Sequence, residues 1–463
     1  MKVLFVNAPW VGKAIYPPLG LAYLAAVLDR KGIENDLIDS EAKGYSVPQL
    51  EKEVKKRNPE IICLTGTTPS IESVFRCARA LKKSLPQSTI LIGGPHASAL
   101  PEDCINRDGI DIVIVGEGEM TIVELVAALD SGAPLKGVKG LCYKENGKTV
   151  MTSPRELIED INSIPFPARY KLDLDKYVGS IGLPKVGRIA TVMTSRGCPY
   201  QCTYCSSHII WKGRLRMRSA ENVLQELEEL VERYHVKAIM FKDDTLAVNK
   251  QRLKDICRGM MDRKMNLLWS CSSRVDNVNK ELLELMHRAG CRLIEFGFES
   301  GSQRVLDRMK KGTSLDQARQ AVKWCKEIGI SINGFFMIGN PQETIEDVEK
   351  TIEFAKELNP DNAQWAITTP YPGTQMFVDM KDRIGKVENW DSFLHCNPLY
   401  PGESTPAVLL SDIPPEMLHD YVKSMTRHFI LRPKRIARNL LKIRSAKELM
   451  RQVKAGYRLA FAR

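Results

Sequence analysis

The 463-residue chain has no apolar run approaching the ~18 residues that a membrane-crossing helix needs. The N-terminus, MKVLFVNAPW, lacks the long apolar block and small-residue cleavage site of a signal peptide, so the expected location is the cytoplasm. No internal repeat is visible. Acidic residues almost vanish at the C-terminal end: from position 421 onward thirteen Lys or Arg face one acid, Glu448. The overall charge of +11 therefore belongs to the tail, and the rest of the protein is close to neutral. That tail lacks interleaved aromatics and any recognisable nucleic-acid motif, which argues against a nucleic-acid partner. Its mixture of cations with Ile430, Leu431, Ile436, Leu440, Leu441, Leu449, Met450 and Val453 suits an interfacial helix on anionic lipid at the inner membrane face, and equally a solvated helix packed on the body.

Hydrophobic residues at 43% and charged residues at 27% are the mixture of a folded soluble protein, long enough for two or three domains. Residues 1–135 alternate short apolar strands (VLFVNAP, NDLID, IICLTG, TILIGG, DIVIVG) with helices of ten to fifteen residues, the pattern of a doubly wound, Rossmann-like parallel sheet. Ligands of such sheets bind beyond the carboxyl ends of the strands, here small or glycine-rich turns. A connecting segment, 136–185, contains a hairpin (GLCYKENGKTV). Strand–helix alternation then restarts over 186–380 with six units, which predicts an α/β architecture completed by a partial (β/α)6 barrel. Residues 381–463 are expected to be a mostly helical, basic C-terminal region.

Of twelve cysteines, nine are scattered singly (63, 77, 104, 142, 257, 271, 291, 325 and 396) and read as small core residues. The other three, Cys198, Cys202 and Cys205, stand together in TSRGCPYQCTYCSS on a strand-to-helix loop. Thiolates are the usual protein ligands of iron–sulfur clusters. Three of them cap three corners of a cube and leave one iron open, as a catalytic metal requires. A zinc knuckle or electron-transfer cluster would want a fourth ligand, for which His208 is the only nearby candidate.

The cysteine motif, with aromatic Tyr204 before its third cysteine, resembles that of the radical S-adenosylmethionine (SAM) superfamily, and the resemblance runs from about 188 to 374. It implies a 4Fe–4S cluster whose open iron binds SAM, a low-potential electron donor as partner, and a 5′-deoxyadenosyl radical as the product of SAM cleavage. FKDDT (241–245) stands where the family contacts the SAM amino group, which points to Asp243, Asp244 and Thr245. GFESG (297–301) stands where it positions the ribose and amino-acid parts, which points to Glu299 and Ser300. FFMIGNPQET (335–344) brings Gly339 beside the adenine, and TPYPGT (369–374) closes the barrel. Taken singly, the two aspartates also fit a turn cap, and Glu299 a buried structural carboxylate.

The first third resembles the cobalamin-binding domain of class B radical SAM proteins in PPLGLAYLAA, LTGTTPSIESV, IGGPHAS and VGEGE. The resemblance implies a cobalamin cleft lined by Thr65, Thr67, Ser70, Gly93, Gly94, Pro95, His96, Gly116 and Glu117. The Asp-x-His-x-x-Gly loop that supplies a cobalt-ligating histidine in many cobalamin proteins is missing, and the equivalent turn reads NAPWVG (7–12). His96 fits a loop or interdomain residue better than an axial ligand. The class includes methylases of hopanoid and bacteriochlorophyll side-group carbons and the anaerobic magnesium-protoporphyrin ester cyclase. The expected activity is therefore methylation of an unactivated carbon in a small, hydrophobic or lipid-like substrate, with cyclase-type chemistry as the alternative. A methylthiotransferase would need three further cluster cysteines in the first domain, and Cys63, Cys77 and Cys104 sit on a strand and helices of a different fold. A cobalamin sensor would have no need of the cysteine loop.

Overall fold

A computed structural model describes residues 1–10, 16–177, 187–393 and 409–432. Part of the NAPWVG turn, Cys396 and the basic stretch 433–463 lie outside the described residues.

The strands of the first sheet are β1 (Val3–Asn7), β2 (Asn35–Asp39), β3 (Ile61–Thr65), β4 (Thr89–Gly93), β5 (Ile112–Ile114), β6 (Leu141–Glu145) and β7 (Lys148–Met151). Across the sheet they run in the order β2-β1-β3-β4-β5-β6-β7. The first five are parallel, with Val3 of β1 opposite both Asn35 and Ile61. Their continuous apolar runs are buried on both faces, as a parallel sheet covered by helices requires. Helices Leu19–Arg30 and Gly118–Ser131 cover one face, and Val47–Arg57, Ile71–Ser84 and Pro101–Ile105 the other. The order of strands reverses its direction between β1 and β3, where the general rule for open sheets places a ligand.

The hairpin of the connecting segment is part of this sheet. β6 pairs antiparallel with β5, Val113 opposite Cys142. β5 would otherwise present an open edge, and pairing buries Leu141, Cys142 and Tyr143.

After β8 (Arg188–Val192), a two-stranded ribbon, β9 (Ser195–Arg196) against β10 (Arg216–Met217), brackets the cysteine loop. The remaining strands are β11 (Val236–Phe241), β12 (Leu268–Ser273), β13 (Cys291–Glu299), β14 (Ser331–Ile338) and β15 (Asn362–Ile367). Together with β8 they form an all-parallel half-barrel of order β15-β14-β13-β12-β11-β8. Its convex face is packed by the helices Ala220–Glu232, Lys250–Asp262, Lys280–Arg288, Leu315–Ile328 and Ile345–Leu358.

Beyond 380 only Pro415–Ile430 is a long helix among the described residues, and it packs along β15 through Leu418, Val422, Met425 and Phe429. The expected helical stretch at 381–393 is instead a short helix, Lys381–Ile384, and a tight turn, Trp390–Phe393. These run back onto the first domain, where Met376, Ile384, Trp390 and Phe393 complete its hydrophobic core. Burial of those side chains overrides the local helical preference.

Candidate active site

The cysteine loop is anchored at Thr203, between its second and third cysteines, by two main-chain bonds. Thr203 donates its N–H to the Met309 carbonyl (3.0 Å), and Met376 donates to the Thr203 carbonyl (2.8 Å). Gly197, just before the first cysteine, has φ +90°, and a Cβ there would stand 2.2 Å from the Arg214 carbonyl oxygen, so only glycine fits. Every other described cysteine is buried, whereas Cys198, Cys202 and Cys205 are partly open. Among the described residues no three Cys, His, Asp or Glu side chains converge on a single-ion site. His208 turns its Nε2 to the Tyr200 carbonyl oxygen (2.6 Å), and its Nδ1 lies beside Gly213. As a free thiol Cys205 is pushed up to about 12, by burial first and then by the nearby Asp244, Cys198 and Cys202. Iron has to replace a proton there.

Asp243 is buried beneath this loop rather than facing a ligand. Its carboxylate accepts the Thr194 N–H (3.2 Å to each oxygen), the Thr194 hydroxyl (2.7 Å) and the Ser195 hydroxyl. It fixes the strand that leads into the cluster loop. Asp244 is exposed at the same turn and accepts the Ser207 hydroxyl at 2.5 Å. Thr245 is buried, its hydroxyl taking the Asn277 amide (3.1 Å), and Asn277 in turn accepts the Tyr200 hydroxyl (2.6 Å).

At the end of β13 the backbone bulges, and Glu299 adopts φ +64°. Its side chain folds over Gly297, where a Cβ would lie 2.1 Å from Oε1. Oε1 accepts Lys311 Nζ (2.8 Å) and the Tyr204 hydroxyl (3.0 Å), and Lys311 also donates to that hydroxyl (3.0 Å). Burial and the Glu299 charge push the Tyr204 phenol well above its ordinary range, so it stays a donor. Ser300 points elsewhere: its hydroxyl pairs with Thr351 (3.0 Å) and accepts the Ser302 N–H (3.1 Å), anchoring helix Ile345–Leu358. Gly339 turns at φ +79° beneath Leu418. The following turn is closed by Glu343, which accepts the Asn340 N–H at 2.8 Å.

In the first domain Thr65, Thr67, Gly93, Gly94, Pro95 and Gly116 stand at the rim of the strand ends. Gly94, at φ +96°, lets the β4 turn approach β3, since a Cβ would meet Thr65 Oγ1 at 2.6 Å. Ser70 closes its own turn, accepting the Thr67 N–H at 3.1 Å. Beside Gly116 there is open space. An exposed Thr67 past β3, at the switch point, and an open backbone at Gly116 past β5 fit a large polar cofactor. Two expected cleft residues face elsewhere. His96 is buried, with Nδ1 3.1 Å from the Thr68 hydroxyl and its ring edge-on to Trp390 and Phe75. The apolar residues Trp390 and Phe393 close over it, so among the described residues no histidine of this domain reaches the cleft.

Glu117 is the second. It accepts Arg196 Nη1 (2.6 Å), Arg216 Nη1 (2.7 Å) and the Ile158 N–H (2.7 Å), while Glu119 accepts Arg196 Nη2 at 2.5 Å. All four charged side chains are buried. The first domain thus grips the ribbon that brackets the cysteine loop. Arg196, Arg216, Glu119 and Lys311 escaped the sequence reading. Arg196, two residues before Cys198, carried the best available signal. Arg274 was missed as well: it stacks on Tyr200 (3.6 Å to the ring centre), pairs with Asp276 and brings Nη1 to 3.9 Å from Cys202 Sγ.

Comparison with known proteins agrees with this layout. The Radical SAM superfamily matches residues 192–355 and the B12 binding domain residues 11–126. An uncharacterized methyltransferase of Pyrococcus horikoshii is 37% identical over 95% of each sequence. The anaerobic magnesium-protoporphyrin IX monomethyl ester cyclase of Rubrivivax gelatinosus is 30% identical over 83% of this protein and 71% of its own length. The solved radical SAM methyltransferase TsrM of Kitasatospora setae shares the fold, with 20% identity, a TM-score of 0.70, and coverage of 84% of this protein and 77% of that one. The protein belongs to the radical SAM enzymes that carry a B12-binding domain ahead of the half-barrel, with a 4Fe–4S cluster, SAM and cobalamin as cofactors.

Proposed function

We propose that the enzyme is a cobalamin-dependent C-methyltransferase acting on an unactivated carbon of a small molecule. The observation that carries this reading is the buried grip of Glu117 and Glu119 on Arg196 and Arg216, which holds the strand ends of the B12-binding domain against the cysteine loop. When bound, cluster and SAM supply hydrogen abstraction, and cobalamin supplies methyl carriage. The protein supplies position. Cys198, Cys202 and Cys205 hold the cluster, Asp243 sets the strand entering their loop, and the Tyr204–Glu299–Lys311 triad forms the polar wall toward β13. Asp244 and Gly339 stand at the neighbouring strand ends for SAM, with Thr245 buried beneath them on Asn277, and the rim from Thr65 to Pro95 with Gly116 would receive the cobalamin. The same reading takes 1–135 as the cobalamin-binding unit, extended by the hairpin that pairs with its sheet, and 186–380 as the radical SAM unit.

The relation to the ester cyclase supports a second reading, radical chemistry without net methyl transfer. The test is anaerobic: reconstituted enzyme with cobalamin, SAM and a low-potential reductant, with 5′-deoxyadenosine and S-adenosylhomocysteine quantified by mass spectrometry. Both products, the second lost without cobalamin, support the methyltransferase. Deoxyadenosine alone supports the cyclase-type reading, and neither product refutes both. The same proposal includes peripheral contact of 433–463 with an anionic membrane and a lipid-derived substrate. Flotation with phosphatidylglycerol vesicles that is unchanged by removing those residues would refute the contact.

A further inference from the structure

The concave face of the half-barrel carries a charged cluster that the cysteine loop and the interdomain grip leave unused. Strand alternation fixes which residues face inward. Ile189, Ala238, Met240 and Leu293 pack together on the concave side, while Ile239, Phe241, Cys271, Ile294 and Phe296 belong to the core beneath the helices. Lys242 lies two residues beyond Met240, and Glu295 two beyond Leu293, so both share the concave face. Thr191 joins them through its pairing with Met240. Ser272 stands opposite Glu295, and Glu295 opposite Asn333, on adjacent strands.

These residues are half-satisfied. Glu295 accepts the Ser272 hydroxyl (3.2 Å) and the Asn333 amide (3.3 Å), but pairs with no cation among the described residues. Lys242 Nζ sits 3.5 Å from the centre of the Tyr16 ring and makes no ion pair or hydrogen bond to a described residue. Burial lowers its ammonium from the ordinary lysine range, against the pull of Glu295. Asn333 is 2% exposed and Thr191 1%, yet Asn333 Oδ1 and Thr191 Oγ1 are buried without a hydrogen-bond partner among the described residues. A fold that leaves two orphaned buried oxygens beside a half-buried cation, whose described partner is an aromatic face, forgoes stability there unless a ligand completes them.

We propose that this wall is the substrate subsite and that it takes a zwitterionic or similarly bipolar group. Its anionic end, a carboxylate or phosphate, rests on Lys242 and the Thr191 hydroxyl. Its donor end, an ammonium or hydroxyl, rests on Glu295 and Asn333 Oδ1. The inference rests on the enzymatic reading above and names the chemistry of the substrate for that reaction. The group can belong to a soluble metabolite or to the headgroup of an amphiphile.

The test reads binding, so that it fails separately from the activity. Reconstituted full-length enzyme, with SAM present, is examined by saturation-transfer NMR against phosphoethanolamine, L-serine and O-phosphoserine. Inorganic phosphate and ethanolamine serve as the single-charge halves. At least one zwitterion is expected to bind more tightly than either half, with about tenfold weakening in Lys242→Gln and in Glu295→Gln. Lys242→Arg should retain binding. Thr191→Val, which removes only a hydroxyl, provides a milder variant should a charge change impair folding. Absence of zwitterion binding, equal binding by wild type and variants, or displacement of the zwitterion by SAM would overturn the proposal. Phosphatidylethanolamine vesicles distinguish the source: Lys242-dependent vesicle binding assigns the group to an amphiphile, and binding of the free zwitterion alone to a metabolite. Deoxyadenosine formation without zwitterion binding sinks only the subsite, and zwitterion binding without deoxyadenosine sinks only the enzymatic reading.

Discussion

Replacing Glu117 with alanine should cost more stability than any exposed-charge substitution in the protein. The carboxylate serves two arginines and one main-chain N–H, and each guanidinium side chain is only 5–6% exposed. After the substitution Arg196 keeps Glu119, but Arg216 keeps no carboxylate, only the Ile158 carbonyl (2.7 Å) and the Trp211 ring face, with Nε and Nη2 already lacking hydrogen-bond partners among the described residues. An uncompensated buried charge costs ~3–5 kcal/mol, a large share of the ~5–15 kcal/mol that holds a typical native state. Glu119→Ala should cost less, because it strands half of one guanidinium. Burial alone would raise the Glu117 pKa, but the Arg216 hydrogen bond, the Arg196 charge and hydrogen bond, and the Ile158 N–H outweigh it and hold the group below the usual carboxylate range. A depressed carboxylate contributes stability that is fully present above its unfolded pKa and is lost as pH falls through the folded one. The difference between wild type and Glu117→Ala should therefore be constant near neutrality and shrink below the ordinary glutamate range, while added salt changes it little. Urea unfolding of the reconstituted enzyme from pH 8 downward measures this. A cost under ~1 kcal/mol at pH 8, the scale of a surface pair, would refute the account of the grip.

Alanine at Cys198, Cys202 or Cys205 should abolish iron and sulfide incorporation, whereas Cys271→Ala, deep in the barrel core, should leave the iron content of the folded fraction unchanged. Glu343 is buried with Oε1 unpartnered among the described residues, and burial raises its carboxyl to about 7. The folded state then holds a proton that the unfolded state releases near the ordinary value of 4.5, so wild-type stability falls as pH rises from there to about 7. Glu343→Gln removes this fall and should gain up to ~3 kcal/mol relative to wild type across that window in parallel denaturation series. Trp390→Ala should cost ~3–5 kcal/mol by emptying the space against His96 and Phe393, read as a lowered urea midpoint. An unchanged midpoint would show that the turn at 390–393 does not seal the first domain.

The strands and helices of both sheets were legible because buried parallel strands read as apolar runs and their helices as amphipathic stretches with clear caps. Lys250–Asp262 and Leu315–Ile328 each begin after a capping residue, Asn249 and Ser314. The cysteine loop was legible because ligand spacing is local. Partners distant in sequence were not. Lys311 reaches Glu299 only because the bulge at Gly297 turns that side group back, and nothing in KKGT announces it. The hairpin at 141–151 read as a linker because pairing with β5 depends on an edge that the local sequence does not reveal. Trp390 gave no signal of its role, which is set by a pocket beside Glu72, 318 residues earlier.

The residues misplaced by sequence share one property. His96, Glu117, Asp243 and Ser300 are polar, lie at or just past strand ends, and stand in motifs where ligands are expected, yet each is buried and bonded within the protein. A strand end beside a cofactor must be both open and fixed. Small residues such as Gly93, Gly116 and Thr67 keep it open, while the neighbouring polar group turns inward to satisfy the loop that carries the next ligand. Asp243 does this for Thr194 and Ser195 ahead of the cysteines, Ser300 for the helix behind Glu299, and Glu117 for both arginines of the ribbon. Such a motif therefore contains two kinds of residue, and burial separates them. By that criterion Thr191, Asn333 and the half-buried Lys242 stand apart from Glu117, Asp243 and Ser300, because their bonding among the described residues is incomplete. On the proposed subsite a group from outside the protein completes it, which is why the concave wall of the barrel, rather than the motif residues, should set the choice of substrate.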